Sequence, residues 1–242
     1  MKNILVTGVS RGLGLDIVKA ILANDGYCVY GVSRTMTKEL EELMAEYSNR
    51  FKWMSYDLAN INDIRNTIFK EFIGLKTPLY GFVNNAAMAY DDIVTNLNYE
   101  HLLNMYNVNV FSPMIITKYV IRQFLLHNIK GSIVHISSIS VHSGYKGLAM
   151  YASSKGSLEA FSKNTAREWG EKGIRSNALV AGFMETEMSS TLSNDQKDRI
   201  YKRTSLKIPT TTKSVAETIF FLLSEGSVSI TGQNIHVDSG TI

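Results

Sequence analysis

Cysteine and proline are scarce in this chain of 242 residues, which contains one cysteine and three prolines. The single cysteine, Cys28, cannot form an internal disulfide, and its apolar neighbours predict a thiol buried in a strand. The few prolines, with no glycine- or serine-rich linker, argue against disorder and against a domain boundary. We therefore expect residues 1–242 to form a single domain that works in a reducing compartment, the cytoplasm.

Long apolar runs and strong charge are also missing. No stretch reaches the roughly 18 apolar residues of a membrane span, and the opening MKNILVTG does not resemble a secretory signal. The formal net charge of +3 is too small to indicate nucleic acid, and the five histidines lack metal-ligand spacing. We expect no membrane, nucleic-acid or metal partner. One basic run favours a solvated helix face over a docking patch: Lys197, Arg199, Lys202, Arg203 and Lys207.

Short apolar runs alternate with segments of helical period along the whole chain. Seven runs are predicted strands: Asn3–Thr7, Tyr27–Val32, Phe51–Tyr56, Leu79–Val83, Ser132–Ile136, Arg175–Leu179 and Asn234–Val237. Six segments are predicted helices: Leu13–Asn24, Thr37–Tyr47, Ile61–Phe72, Tyr99–His127, Tyr151–Trp169 and Ser214–Ser224. Apolar strands that are each followed by a helix indicate an α/β, doubly wound, mostly parallel seven-stranded sheet with helices on both faces.

One segment, from Met184 to about Ile208, breaks this alternation. It is polar, carries methionine and serine, and contains no predicted strand. Long insertions in compact domains are usually functional, and many cover a site. We therefore predict a substrate lid at about residues 184–208, with a pair of surface helices of no role as the alternative.

The first predicted strand ends in a glycine-bearing turn, Thr7–Gly14, and a helix follows at once. Glycine is required there for a tight turn, for close approach to a pyrophosphate, and for packing of helix on strand. Free N–H groups at the helix start favour phosphate groups. No Gly-Lys-Ser/Thr closes the turn, which excludes a Walker loop. The turn predicts a dinucleotide site, and a tight turn without ligand is the alternative.

The end of the second predicted strand bears on the choice of nicotinamide cofactor. A site for NAD places a carboxylate about 20 residues past the glycines, on the ribose 2′-hydroxyl. Counting from Gly14 leads to Ser33 and Arg34, and residues 27–38 contain no acid. A guanidinium can instead bind a 2′-phosphate, and Arg11 in the turn adds a second cation. The sequence predicts NADP (NADPH) in preference to NAD.

Tyr151 and Lys155 stand four residues apart at the start of a predicted helix and share one face. A free tyrosine titrates near pH 10, too high for efficient proton transfer at neutral pH. We predict that the ammonium of Lys155 lowers the pKa of Tyr151 and that the same group can hold the nicotinamide ribose. Three serines after the preceding strand can offer a hydroxyl to a substrate carbonyl, and composition does not choose among them: Ser137, Ser138 and Ser140.

These motifs together resemble the short-chain dehydrogenase/reductase family, with its T-G-x-x-x-G-x-G turn and Tyr-x-x-x-Lys pair. The likeness runs from Lys2 to Thr241 and is strongest to the 3-oxoacyl-[acyl-carrier-protein] reductase branch. It implies a Rossmann-type fold. It also selects Ser138 among the serines and identifies Asn109 as the fourth member of the family's proton relay. The implied catalytic set is Asn109, Ser138, Tyr151 and Lys155.

The resemblance also implies cofactor contacts. Asn85 and Ala86 match the family's N-N-A-G motif, while Asp57 matches the acid that meets the adenine. Thr186 matches the threonine that contacts the carboxamide of nicotinamide. The predicted cofactor-binding residues are Thr7, Gly8, Ser10, Arg11, Gly12, Leu13, Gly14, Arg34, Asp57, Leu58, Asn85, Ala86, Tyr151, Lys155, Gly182, Met184 and Thr186.

The implied activity is NADPH-dependent reduction of a carbonyl, in a small molecule or on an acyl carrier, to a secondary alcohol, with Tyr151 as general acid. Predicted substrate contacts are Ser138, His142, Tyr151 and Met188. A dehydrogenase of sugars, polyols or other small alcohols is the first alternative, and an NADP-binding regulatory protein without turnover is the second. Relatives of this kind imply a homotetramer assembled through the long helices and the last strand.

Three residues depart from the family pattern. Ala87 stands where glycine is usual, Ala181 replaces a common proline, and Ser239 replaces a glycine. None of these changes removes a predicted catalytic group. They bear on substrate fit rather than on the chemistry.

Overall fold

The computed structural model describes residues 1–185 and 193–241. Within these residues, seven strands form one sheet: β1 (Lys2–Thr7), β2 (Tyr27–Ser33), β3 (Phe51–Ser55), β4 (Leu79–Asn84), β5 (Ser132–Ser138), β6 (Arg175–Ala181) and β7 (Asn234–Val237). The strand order is β3-β2-β1-β4-β5-β6-β7, and every pair is parallel. The predicted Rossmann-type doubly wound sheet is confirmed.

Helices connect the strands and cover both faces of the sheet. The α-helices of the described residues are α1 (Gly12–Leu22), α2 (Lys38–Glu46), α3 (Tyr99–Tyr106), α4 (Ser112–Leu126), α5 (Ser140–Ser143), α6 (Ala149–Trp169), α7 (Asn194–Arg203) and α8 (Thr212–Leu223). Two segments are π-helical, Arg65–Ile73 and Asn107–Phe111. None of the helices in the described residues is long and apolar enough to cross a membrane.

Two hydrophobic layers lie on opposite faces of the sheet. On one face, Val6 and Val134 pack with α1 and α8. On the other face, Leu5, Phe82 and Ile133 pack with α4 and with the Arg65–Ile73 segment. Because both faces are covered, the strands carry nearly continuous apolar runs, which is why they stood out in the sequence.

The structure differs from the sequence prediction at two helices and one strand end. The predicted helix Tyr99–His127 is interrupted by the π-helical segment between α3 and α4, where the backbone bonding shifts for one turn. Ser138 was expected just past its strand and instead ends β5. The stretch predicted as a lid contains α7, whose N-terminus is closed by a capping box of Ser193 and Gln196.

The strand order reverses between β1 and β4, and ligands of such sheets bind at the carboxyl ends of the strands beside that point. Thr7 ends β1, Asn84 ends β4 and Ser138 ends β5. Parallel pairing brings these ends to one edge of the sheet. The predicted site residues therefore meet at the edge where the fold favours a ligand. Thr186 and Met188 lie outside the described residues.

Candidate active site

The glycines of the turn after β1 are there because side chains do not fit. Gly8 has φ +74°, and a Cβ on it would lie 2.7 Å from Ala86 Cα. A Cβ on Gly14 would lie 1.8 Å from the carbonyl oxygen of Gly8. Gly12 also has a positive φ, of +54°. The turn is therefore folded back tightly against the segment that follows β4.

Hydrogen bonds join this turn to the end of β4. The amides of Asn85 and Ala86 both donate to Thr7 Oγ1 at 3.2 Å. Asn85 Nδ2 donates to the carbonyl oxygens of Thr7 and Gly8, at 3.1 and 3.0 Å. Thr7 is fully buried. The hydrogen bonds of Thr7 and Asn85 thus fix the backbone of the turn relative to the segment after β4.

Helix α1 starts inside the turn and is open at its N-terminus. No side chain caps it at Arg11, and its first turn carries no acidic residue. The unpaired first-turn amides and the helix dipole favour an anion at this end. Leu13 is buried, and Ser10 accepts at its carbonyl oxygen from Thr37 Oγ1 at 2.9 Å. The cradle of glycines and amides suits the diphosphate of a dinucleotide.

Two further groups lie at the ends of β2 and β3. Ser33 accepts a hydrogen bond from Trp53 Nε1 at 2.8 Å, and the Arg34 side chain that follows is exposed. Asp57 is exposed and accepts from the amide of Ala59 at 2.9 Å, while Leu58 is buried. No acidic residue occupies the end of β2, as the sequence indicated.

Ser138 and Tyr151 are brought together. The Ser138 hydroxyl lies close enough to the phenol of Tyr151, the third residue of α6, to lower the pKa of that phenol. Ser138 Oγ accepts hydrogen bonds from Ser140 Oγ at 3.0 Å and from the Ser140 amide at 3.2 Å. Ser137 donates instead to the carboxylate of Glu159. Of the three serines left open by composition, Ser138 is the one whose hydroxyl acts on Tyr151.

The expected lowering of the Tyr151 pKa is wrong for this arrangement. Burial raises the pKa of Tyr151 to about 12, and the charge of Asp91 raises it further. The nearby Ser138 hydroxyl lowers it, but by less. Lys155, whose Nζ lies 5.9 Å from the centroid of the Tyr151 ring, does not offset these effects. At neutral pH the phenol is therefore protonated.

Lys155 is buried beneath the tyrosine. It is 2% exposed, and its Nζ donates to the carbonyl oxygen of Ile136 at 2.9 Å. Burial lowers the pKa of Lys155 to about 8. At neutral pH the group is therefore mostly ammonium, but it releases its proton more readily than an exposed lysine, which suits a residue that passes protons.

Asn109 lies in the π-helical segment and is fully buried. Its side chain bonds to both backbone groups of Met88, accepting at 2.8 Å and donating at 2.9 Å. It also donates to Ser154 Oγ at 3.0 Å, beside Lys155 in the sequence. Asn109 thus links the loop after β4 to the helix that carries the predicted catalytic pair. A π-turn at such a place is frequent in functional sites.

Three further predicted residues lie within the described part of the chain: Gly182, Met184 and His142. Gly182 follows β6, and a Cβ on it would lie 2.6 Å from Asp238 Cα. Met184 is half-buried against the core. His142 lies in α5 and bonds to Glu159, which the sequence reasoning missed. Glu159 lies one helical turn after Lys155, and that spacing is the signal from which the sequence could have predicted a role for Glu159. Within residues 1–185 and 193–241, no group of three His, Cys, Asp or Glu residues is placed for a metal.

Comparisons with known proteins agree with this geometry. Residues 8–241 match the family model described as enoyl-(acyl carrier protein) reductase. The chain is 30% identical over 240 residues to 3-oxoacyl-[acyl-carrier-protein] reductase FabG of Chlamydia pneumoniae, covering 99% of this chain and 96% of the relative. It is also 30% identical to the FabG of Staphylococcus epidermidis, with 99% and 98% covered.

Solved structures give the same likeness. A 4-hydroxyisoleucine dehydrogenase complexed with NADH superposes with a TM-score of 0.92 at 26% identity, covering 100% of this chain and 98% of the other. ElxO with NADP bound superposes with a TM-score of 0.86 at 30% identity, covering 99% and 98%. The similarity therefore extends over whole chains rather than over the glycine turn alone.

Proposed function

We propose that this chain, which belongs to the short-chain dehydrogenase/reductase family, reduces the carbonyl of a 3-oxoacyl thioester-like substrate with NADPH. Membership makes it an NAD(P)-dependent oxidoreductase; the cofactor preference and the substrate are the proposal. One observation carries the chemistry: a protonated, half-buried Tyr151 lies beside Ser138, the last residue of β5, with Lys155 buried four residues further along the same helix.

NADPH suits the described residues. The cradle of Gly8 and Gly14 and the uncapped start of α1 fit its diphosphate. The end of β2 offers the hydroxyl of Ser33 and the exposed guanidinium of Arg34, with no carboxylate to repel a 2′-phosphate. Bound NADPH supplies the hydride that reduces the carbonyl carbon. The cofactor contacts of the other members of the predicted set are part of this proposal.

Tyr151 supplies the proton. Its pKa of about 12 keeps the phenol protonated at neutral pH, and the alkoxide that develops on the substrate is the stronger base. Ser138 donates a hydrogen bond to the same substrate oxygen and so stabilises its developing charge. Lys155, whose pKa burial lowers to about 8, would bind the ribose of the cofactor, and its ammonium would supply a proton after Tyr151 has given its own to the substrate. Asn109 holds the loop and helix that border this path.

The substrate class is proposed from the relatives. The curated relatives at 30% identity are 3-oxoacyl-[acyl-carrier-protein] reductases over nearly their whole length. We propose that the lid at about residues 184–208 covers the substrate, together with Met184 and His142. Its basic side chains on α7, including Arg199 and Lys202, suit the acidic surface of an acyl carrier.

We also propose a homotetramer in the cytoplasm, where the free thiol of Cys28 stays reduced. A groove of about 480 Å³ runs between α4 and α6 and is lined by Ile121, Leu125 and Phe161. Leu125 and Leu126 are 40% and 69% exposed. Exposed apolar side chains beside such a groove suit a symmetric contact with a second copy.

The proposal is tested by NADPH oxidation with a panel of carbonyl compounds. We expect turnover with acetoacetyl thioesters and less with sugars and polyol-derived ketones. Preferential turnover of sugars or polyols would support the alternative dehydrogenase. Tight NADPH binding with no turnover on the whole panel would contradict an enzymatic role and favour a regulatory one.

A further inference from the structure

Glu159 is a buried carboxylate that no predicted catalytic or cofactor role uses. It lies on α6, one helical turn after Lys155 and two after Tyr151, and is 7% exposed. A buried carboxylate costs folding free energy unless donors satisfy it, so it persists where its partners are well placed. Its partners therefore indicate what it does.

Three segments donate to this one group. Glu159 Oε1 accepts from Ser137 Oγ, and His142 Nε2 lies 3.1 Å from the carboxylate oxygens. Glu159 Oε2 accepts from Asn234 Nδ2 at 2.6 Å. The donors come from the end of β5, from α5 and from the start of β7. Each is a hydrogen bond to a charged acceptor, which is stronger and more directional than one between neutral groups.

The donors flank Ser138 in the chain. Ser137 precedes it directly, and His142 follows it in the short helix α5. Glu159 therefore ties both sides of the segment that carries Ser138 to the helix that carries Tyr151 and Lys155. The third donor, Asn234 on β7, bonds to the other carboxylate oxygen and so restricts rotation of the Glu159 side chain.

The neighbours of His142 are also polar. Its ring lies 5.1 Å from the ring of His236, and His236 Nδ1 lies 4.0 Å from Asp238 Oδ2. Because His236 lies on β7, the ring pair is a second contact between α5 and that strand.

We propose that Glu159 is a positioning residue that sets the distance between the Ser138 hydroxyl and the Tyr151 phenol. The proposal rests on the proposed function, in which those two groups share one substrate oxygen. Ser138 ends β5 and Tyr151 lies on α6, so the distance between their hydroxyl groups depends on how those two elements are held together. Displacement of one reacting group by about 1 Å can lower turnover by about 10²-fold.

The first experiment compares Glu159→Leu with Glu159→Gln. The leucine variant removes every acceptor, so we expect kcat to fall by about 10- to 10²-fold with the Kd of NADPH unchanged. The glutamine variant keeps one carbonyl acceptor, and Asn234 can turn its amide to accept from the new NH₂; we expect it to recover most of kcat. The control is Glu171→Leu, which removes an exposed carboxylate just after α6.

Asn234→Ala is the milder variant, for the case that Glu159→Leu fails to fold. It removes a single donor from β7, and we expect a smaller fall in kcat at unchanged NADPH affinity. A double-mutant cycle with Glu159→Gln should then show coupling, because both changes act on the same carboxylate. Full activity in Asn234→Ala, with no coupling in the cycle, would overturn the proposal.

The crystal structure of the variants separates this proposal from the proposed function. We expect Ser138 Oγ to move away from the Tyr151 hydroxyl in Glu159→Leu, or in Asn234→Ala by a smaller amount. A wild-type protein without carbonyl reductase activity would count against the proposed function, while the displacement of Ser138 would still support the positioning role. An unchanged Ser138–Tyr151 geometry in the variants overturns it.

Discussion

His135 is a histidine in an environment that disfavours its charged form. It is fully buried on β5, with its ring 6.2 Å from that of Phe82 and 5.8 Å from that of Phe161. Neither ring nitrogen has a hydrogen-bond partner among the described residues. Burial lowers its pKa to about 3, and the nearby charge of Lys155 lowers it further. In the folded protein at neutral pH the imidazole of His135 is therefore neutral, and it packs against the two phenylalanines as an aromatic ring.

This environment predicts a pH-dependent stability. The unfolded chain binds a proton at His135 below its usual pKa of 6.5, but the folded protein does so only near pH 3. Above pH 6.5 the titration of His135 therefore does not affect the free energy of unfolding. As pH falls from 6.5 toward 3, that free energy decreases by up to about 1.4 kcal/mol per pH unit. Substitution His135→Phe should leave stability at pH 7 unchanged or raised, and should flatten its decline between pH 6 and 4.

Urea unfolding at several pH values measures this effect. The matched control is His101→Phe, which changes an exposed histidine and should keep the wild-type slope. A His135→Phe protein that is less stable at pH 7 and equally sensitive to acid would show that the ring makes a favourable polar contact.

Arg34 is the residue on which the cofactor preference rests. Substitution Arg34→Asp should raise the KM for NADPH by about 10-fold or more, since it replaces a 2′-phosphate partner with a like charge. The KM for NADH should fall, because the new carboxylate can accept from the 2′-hydroxyl. Steady-state kinetics with both cofactors measure the ratio, with Lys172→Asp as an exposed control. An unchanged preference would remove Arg34 from the cofactor site.

At the scale of the element, the turn between β1 and α1 depends on the absence of side chains. Substitution Gly14→Ala would place Cβ 1.8 Å from the Gly8 carbonyl oxygen, so the turn must open. We expect a loss of about 2 kcal/mol of stability and of most NADPH affinity. Thermal unfolding and NADPH fluorescence titration check both effects.

Gly170→Ala is the control for that substitution. Gly170 has a φ of −59°, and a Cβ there meets nothing within 4 Å. Its stability should be equal to or slightly above that of the wild type. If Gly14→Ala behaved like this control, the glycine turn would not be the close contact that the geometry indicates.

The elements were predicted well where local pattern decides them. All seven strands and the helix carrying Tyr151 and Lys155 were found, because buried parallel strands are apolar throughout and the helix period is regular. The π-helical segment at Asn109 was not visible, since one extra residue in a turn barely alters the apolar spacing. Helix α5 is only four residues long and carries no periodic signal.

Motif spacing predicts Tyr151 and Lys155 as site residues, and the family resemblance adds Ser138, but neither predicts the electrostatics around them. The pKa of Tyr151 depends on burial and on Asp91, which comes from a loop distant in the sequence. The role proposed for Glu159 likewise depends on donors from β5, α5 and β7 that only the folded chain brings together.

At the scale of the whole molecule, the exposed apolar side chains of α4 predict self-association. Substitution Leu125→Glu places a charge beside the groove between α4 and α6 and should shift a tetramer to smaller species. Analytical ultracentrifugation at micromolar concentration measures the change. Val94→Glu is the control, since Val94 is 63% exposed and does not line that groove. A wild-type monomer at this concentration would contradict the proposed assembly.

The central claim is that Tyr151 protonates a substrate carbonyl oxygen, and Tyr151→Phe tests it most directly. The ring stays and the hydroxyl is lost, so cofactor binding and folding should be unaffected. We predict that kcat for NADPH oxidation with an acetoacetyl thioester falls by about 10²- to 10⁴-fold, while the Kd of NADPH is unchanged. A Tyr151→Phe protein with wild-type kcat would contradict the account.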